Sequence, residues 1–427
     1  MSRNQLLYHR NRPSSWAGFP TTSKSLSSSS SSFGDATCME QLLVHCATAI
    51  ESNDATLAQQ ILWVLNNAAA PDGGSTQRLT SAFLRALVAR AANTGSCQML
   101  AAAMSAHDLS VRTHSFSVVD LASFVDLTPW HRFGFAAANA AILDAVEGFS
   151  AVHLVDLSAT HCMQIPTLLD ALAARPEGPP LLRLTVAGAE DRIPPLLDLP
   201  CEQLGARLVN FARSRNVGME FEVVPSRASD GFALLVEQLR QERRTGDEAL
   251  VINCQMKLRH VPDEYSSSSA SSFRSGFLKQ LRNLEPSVVI LVEEDAELSS
   301  GDLVCRLRSA FNFLWIPYDT VDTFLRRGSK QRQWYEAEVG WKIENVIACE
   351  GRQRVERGEG KGRWVQRMQG AGFRSVAFGE DAVGEVRSML EEHAAGWGFK
   401  KEEEDQHLVL TWKGHNVAFA TAWVPSS

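Results

Sequence analysis

The stretch Ala151, Val152, His153, Leu154, Val155, Asp156, Leu157 constrains the fold more than any other part of this chain. An apolar run that closes on an acid, followed by a helix-like stretch over 163–174, reads as the first strand and helix of a nucleotide-binding α/β sheet. In a cofactor-binding sheet the turn between them is rich in glycine, so that backbone N–H groups can approach a phosphate or carboxylate. Here the turn is Ser158, Ala159, Thr160, His161, Cys162, with no glycine. A non-glycine residue in a left-handed turn costs about 1–2 kcal/mol and places a Cβ where a ligand would lie. The expectation is a cofactor-type fold with a rebuilt cofactor loop, a scaffold that binds something else.

Short apolar strand candidates alternate with helical stretches from residue 151 onward. The strands are 152–157, 181–187, 219–224, 249–254 and 288–293; the helical spacers run over 163–174, 199–215, 231–240 and 273–284. Apolar strands joined by helical crossovers predict a parallel sheet covered on both faces. Residues 373–378 offer a sixth strand. The end differs: 408–412, then Lys413, Gly414, His415, then 416–423 read as an antiparallel hairpin. The fold class is therefore α/β, a Rossmann-like, methyltransferase-type parallel sheet with an antiparallel C-terminal hairpin. An all-helical cap completes it.

The cap is read from residues 37–148. Leu42, Leu43, Cys46 and Ile50 share one helix face, as do Leu57, Ile61, Val64 and Leu65. The sequence from Pro71 to Gly74 breaks the pattern, and Leu79, Phe83, Leu84, Leu87 and Val88 resume it. Further helices are expected over 115–124 and 131–146, separated by Thr128 and Pro129. A helical insertion over about 310–348, rich in aromatic and basic residues, joins this cap, and 149–427 otherwise forms the core. Residues 1–36, ending in a serine run, are too polar to offset their ordering entropy and are expected to be a disordered tail.

At 427 residues the chain exceeds the usual single-domain range. A hydrophobic fraction of 44% with 21% charged residues is that of a globular protein, and a net charge of −7 argues against a protein wrapped in nucleic acid while leaving room for a local basic patch. The eight cysteines are scattered without a C-x-x-C pair, so reduced thiols are expected, and no metal site. No apolar stretch approaches the ~20 residues of a membrane span, and no signal-peptide core is present. A soluble intracellular protein is expected. No strong basic cluster marks a nuclear import signal.

Laid out in order, these motifs resemble the GRAS family of plant transcriptional regulators, and within it a scarecrow-like subgroup. Val152, His153, Leu154, Val155 and Asp156 match the family's VHIID element, followed by Met163, Gln164, Ile165 and Pro166. The leucine-rich regions resemble residues 39–110 and 196–239. Pro286, the run from Phe311 to Tyr318, and Arg354, Glu356, Arg357 and Glu359 resemble the later motifs. Trp364 with Gly372, then Trp412, and Thr421, Ala422, Trp423 match the closing element. The resemblance implies a nuclear role in gene regulation, with homodimerisation or association with other transcription regulators. Two departures, the turn after Asp156 and the loosened aromatic run at Phe311, mean that no ligand pocket is carried over.

Ligands of open parallel sheets sit at the carboxyl ends of the strands. Those ends carry Asp156, Glu190, Asp191 and Asn253, the candidate pocket residues, and then Glu293, Glu294 and Asp295. The sharp reading is a cleft for S-adenosylmethionine. The plain reading, favoured here, is strand-end polarity without a cofactor. His153 is expected to be a hydrogen-bonded core histidine, and His161 with Cys162, like His45 with Cys46, to be structural. Arg326, Arg327, Lys330 and Arg332 form a basic run uninterrupted by acid and are the candidate DNA contacts. Arg354 and Arg357 lie among Glu350, Glu356 and Glu359 and are read as a buried clasp. Trp397, Trp412 and Trp423 are expected to cluster and pin the hairpin to the sheet. The commitment is a non-enzymatic transcriptional regulator that dimerises or binds partners, with direct DNA contact in view. The alternatives are a co-regulator without DNA contact and a small-molecule binder.

Overall fold

The computed structural model describes residues 31–93, 114–188, 193–242, 248–263, 272–402 and 407–426. Helices α1 (Ser31–Glu51), α2 (Ala55–Ala68) and α3 (Ser75–Asn93) come first, then β1 (Ser115–Phe116), α4 (Val118–Val125) and α5 (Pro129–Ala145). The α/β part follows as β2 (Ala151–Ser158), α6 (Ile165–Ala173), β3 (Leu181–Ala187), β4 (Leu196–Leu197), α7 (Cys201–Ser214), β5 (Met219–Val224), α8 (Ala233–Glu242), β6 (Glu248–Gln255), α9 (Phe273–Asn283) and β7 (Val288–Glu294). Two long helices, α10 (Leu303–Phe324) and α11 (Lys330–Ala348), precede α12 (Lys361–Gly370), β8 (Phe373–Val376), α13 (Glu380–Glu391), β9 (Trp397–Lys401), β10 (Leu408–Trp412) and β11 (His415–Pro425).

Local chemistry sets many of these boundaries. Asp54 caps α2 by accepting from the Leu57 N–H at 3.0 Å, Asp302 caps α10 through the Cys305 N–H at 2.7 Å, and Ser329 caps α11 through the Arg332 N–H. Thr128 caps α5, whose first residue is Pro129. The hairpin turns on Lys413 and Gly414, both at positive φ (48° and 82°), the pair of left-handed residues that a two-residue turn between twisted strands requires.

The main sheet has the order β5-β3-β2-β6-β7-β11-β10-β9, and β8 pairs with the far end of β11. The first five strands are parallel; β11 is antiparallel to β7, and β10 and β9 continue the antiparallel set. The order reverses between β2 and β6, the switch point where such sheets bind ligands. Side chains alternate between two faces. Val152 and Leu154 enter a core shared with α5, α6, α7, α13 and the helices α1–α3, α10 and α11. Val155 and Leu157 enter a second core with α8, α9 and α12. Among the described residues no helix is long and apolar enough to cross a membrane.

The helices α10 and α11 lie on α1 and α3. Arg78 of α3 reaches Asp322 of α10 and Glu336 of α11, both at 2.9 Å, and Phe83 packs edge-on against Phe311. Several expectations need correction. The helix α1 begins at Ser31, inside the serine run assigned to the tail; serine is a good residue for a helix start. The region expected to be one helix over 115–124 opens with β1, which pairs with β4 in a two-stranded sheet. On α2 the buried face is Ala58, Ile61, Leu62 and Leu65, leaving Leu57 and Val64 exposed. The strand β9 was not anticipated; its Lys400 and Lys401 suit an edge strand. The three tryptophans divide: Trp397 and Trp412 pack with ring centres 4.9 Å apart and planes tilted by 57° on the cap side, whereas Trp423 packs in the opposite core, because β11 sends it to the other face.

Candidate functional site

The turn after β2 adopts left-handed backbone without glycine: His161 and Cys162 have φ of 49° and 61°. It is held by its own side chains. His161 donates through Nε2 to the Pro195 carbonyl at 2.8 Å, and the Cys162 thiol faces Asp156 Oδ2 at 3.4 Å. Burial and then that carboxylate push the thiol pKa up, so it is no activated nucleophile.

Asp156 and Asn253 stand side by side at the switch point, in register across β2 and β6. Asn253 Nδ2 donates to Asp156 Oδ1 at 2.7 Å and to Gln164 Oε1 at 2.8 Å. Gln255 donates to Gln164 Oε1 and, at 3.0 Å, to Asn253 Oδ1; Ser158 donates to Asp156 Oδ2 at 2.6 Å. All four of Asp156, Gln164, Asn253 and Gln255 are buried. Burial raises the Asp156 carboxyl pKa, while the Ser158 and Asn253 hydrogen bonds pull it back. The strand-end polar groups thus satisfy one another and close the ends where a cofactor would lie. Together with the left-handed Cβ atoms, this arrangement does not fit S-adenosylmethionine. Of the four expected pocket residues, Asp156 and Asn253 meet in this network; Glu190 and Asp191 lie outside the described residues.

A cleft of about 100 Å³ opens nearby, between the strand ends and the cap. Trp130 and Tyr335 wall it. At its floor Arg259 pairs with Glu293 at 2.9 Å and Glu294 at 2.5 Å, and Lys342 of α11 holds both oxygens of Glu294 at 2.7 Å. Burial raises Glu294, but Arg259 and Lys342 hold it down at about 2. Two further acids face the cleft, Glu338 from α11 and Glu356 from the segment before α12. Burial drives Glu338 up to about 8, and it raises Glu356 as well. His131 and His260 complete the polar lining; burial takes His131 down to about 4 and His260 well below its ordinary value, so both are neutral. Sequence reading identified the acids ending β7 but missed Arg259, Glu338 and Lys342. The one available signal was the spacing of Glu338 and Lys342, four apart on one helix face.

The basic run divides at the loop joining α10 to α11. Arg326, Arg327 and Lys330 are exposed; Lys330 lies 4.5 Å over the Trp334 ring and 3.8 Å from Asp120. Arg332 does not belong with them. It is only 5% exposed, pairs with Asp322 and, at 2.9 Å, with Glu336, and so shares both acids with Arg78. One turn of helix carries it inward, so it is corrected from a DNA contact to an internal clamp.

With this geometry in place, comparison with known proteins is decisive on kinship. The GRAS domain family model matches residues 39–424. The chain belongs to the GRAS family. It is 62% identical to scarecrow-like protein 32 of Arabidopsis thaliana over 92% of the chain and 95% of that protein. It is 30% identical to SHORT-ROOT of the same plant, over 98% of the chain and 78% of that protein. Among solved structures, SCL7 of Oryza sativa superposes with a TM-score of 0.71 at 25% identity, covering 90% of the chain and 99% of SCL7.

The GRAS motif positions are interior. In β2, His153 is buried: Arg183 Nη2 donates to its Nδ1 at 2.8 Å, leaving Nε2 protonated toward Thr185 Oγ1 at 2.8 Å. Arg354 donates to the Ser300 carbonyl at 3.0 Å, and Arg357 Nε to the Arg354 carbonyl at 2.8 Å. The Val355 and Glu356 N–H groups both bond Asn345 Oδ1 on α11. Trp364 lies under the Arg274 guanidinium, 5.0 Å away, and Arg274 pairs with Glu359 at 3.0 Å, all fully buried. Trp412 donates to Asp319 of α10 at 2.7 Å, and Trp423 to Thr421 Oγ1 at 2.8 Å. Arg274 was not singled out in the sequence, since hydropathy places an arginine at the surface.

Proposed function

We propose that this GRAS chain is a non-enzymatic regulator of transcription that acts in the nucleus, by dimerising or by associating with other transcription regulators and by touching DNA from the α10–α11 loop. The observation that supports the non-enzymatic part is the Asp156–Asn253–Gln164–Gln255 network: at the switch point of a methyltransferase-type sheet, the side chains that would meet a methyl donor are engaged with one another. The regulatory role is what family membership implies.

Association is supported by α2. Trp63 is 70% exposed, and Leu57 and Val64 are also exposed on the same helix. Among them Trp63 is the strongest candidate for a contact surface, since tryptophan is enriched where partners bind. DNA contact is supported by Arg326 and Arg327 on the α10–α11 loop and Lys330 at the start of α11, three exposed cations close in sequence.

The test is selection of random duplex DNA by the full chain at near-physiological salt. The expected result is an enriched motif whose binding weakens when Arg326, Arg327 and Lys330 are changed together to Glu. The reading as a co-regulator without DNA contact has its own support, since Asp120 lies beside Lys330 and the net charge is −7. No enrichment from folded protein selects that reading and moves attention to Trp63, whose change to Ser should then abolish association. Calorimetry with S-adenosylmethionine should give flat heats; a saturable signal would overturn the non-enzymatic reading.

A further inference from the structure

The cleft beneath the cap is lined by two acids that its own cations do not pair. Arg259 and Lys342 are engaged with Glu293 and Glu294. Glu338 and Glu356 face the same space with no lysine or arginine in ion-pair distance among the described residues. The one basic neighbour within 4 Å is His260, 3.8 Å from Glu356, whose Nδ1 proton goes to the Val355 carbonyl. Glu356 is 3% exposed and lines the cleft, yet its Oε2 has no hydrogen-bond partner; Glu338 Oε1 is likewise buried and unpartnered. Two buried acceptors on residues that line one cleft are costly to leave without donors. A native fold retains such groups where something fills the demand.

The occupant's chemistry follows from what the walls offer. Once ionised, unsatisfied carboxylate oxygens call for N–H donors that carry positive charge. Trp130 and Tyr335 line the same cleft, and aromatic rings attract cations. A metal ion is disfavoured, because among the described residues no group of three or more His, Cys, Asp or Glu is arranged to hold one. The volume of about 100 Å³ is below that of a cavity that admits benzene, so it takes an ammonium head with a short alkyl body. We propose that this cleft is a binding site for a small organic cation, a primary ammonium group held between Glu338 and Glu356 against the aromatic wall. Because Glu338 comes from α11 and Glu356 from the segment before α12, such a ligand would add a second tie between them, beside the bonds that the Val355 and Glu356 N–H groups make to Asn345 of α11. Its presence would then be felt by any partner that contacts the cap.

The test uses three probes of one shape, propylammonium, 1-propanol and propionate, titrated into the full chain by ligand-observed NMR. Propylammonium should saturate, with the alcohol and the carboxylate weaker by at least about tenfold. Glu338→Gln and Glu356→Gln should each weaken propylammonium by at least about tenfold. Binding should also tighten from about pH 6 to about pH 9, as Glu338 gives up its proton amid Lys342, Arg259, Glu294, Glu356 and the neutral His131 and His260. Equal binding of 1-propanol would make the acids neutral donors and overturn the cation; preference for propionate would overturn it outright. Affinity unchanged in Glu338→Gln would move the site elsewhere, and that variant, at a half-buried helix position, serves alone where Glu356→Gln does not fold. No saturation of any probe would end the proposal.

Discussion

At the scale of single residues, Glu338 makes the clearest solution prediction. Burial holds its pKa at about 8 against an ordinary 4.5. Between those values the folded chain keeps a proton that the unfolded chain has released, so this group's contribution to stability falls as pH rises from 4.5 to 8. Glu338→Gln removes that dependence. In urea titrations without ligand, the variant should be the more stable above about pH 8 and match the parent below about pH 4.5. Parallel curves would mean that Glu338 is as free to ionise in the fold as out of it. Trp423 gives a second case. Fully buried on the face opposite Trp412 and bonded to Thr421, it should cost about 3–5 kcal/mol when changed to Ala. An unchanged melting temperature would place it at the surface.

At the scale of elements, the α10–α11 connection separates two kinds of arginine. Changing Arg326, Arg327 and Lys330 to Glu should leave the melting temperature in place and lower the salt dependence of DNA binding, by about 0.9 in slope for each phosphate no longer neutralised. Arg332→Ala should do the reverse: it strips Asp322 and Glu336 of a partner and destabilises by about 1–3 kcal/mol. If Arg332→Ala weakens DNA binding at unchanged stability, the clamp assignment fails. This contrast also shows where sequence reading reached. Strands such as β2, β6 and β7 were legible because strands buried on both faces are nearly continuous apolar runs. The hairpin was legible from Lys413 and Gly414 between two such runs. Arg332 was misread because the run around it contains no acid, although Glu336 stood one helical turn on, and Asp322 arrives only when α10 folds back. The pair β1 and β4 and the arginines Arg259 and Arg274 left no local signal, since their partners are distant in sequence. The strand-end acid and amide were found, but what they touch was not, because Gln164 and Gln255 come from a helix start and a strand end that only the folded sheet brings to them.

At the scale of the whole molecule, the helices of the cap and the α/β part share an apolar core. One continuous cluster runs from Leu43 and Phe83 in the first helices, through Leu154 and Ile290 in the sheet, to Leu410 and Trp412 in the hairpin. Polar ties follow the same course: Arg90 joins Glu51 at 2.8 Å to Glu350 at 3.0 Å, and Lys342 joins α11 to the end of β7. Removing the cap would strip α5 from β6, β7, β10 and β11 and open the core on that face, so neither part has a complete core alone. The described fold should therefore lose cap and sheet in one cooperative step, with calorimetric and van't Hoff enthalpies in agreement. Two resolved transitions, or a stable fragment beginning near residue 149, would show that the sheet stands alone. Cooperativity of this kind has a consequence for regulation. A ligand or partner that binds the cap stabilises the sheet by the same free energy, because only the joined state binds. Occupation of the cleft at Glu338 and Glu356 should accordingly raise the temperature of that single transition, and by less in Glu338→Gln.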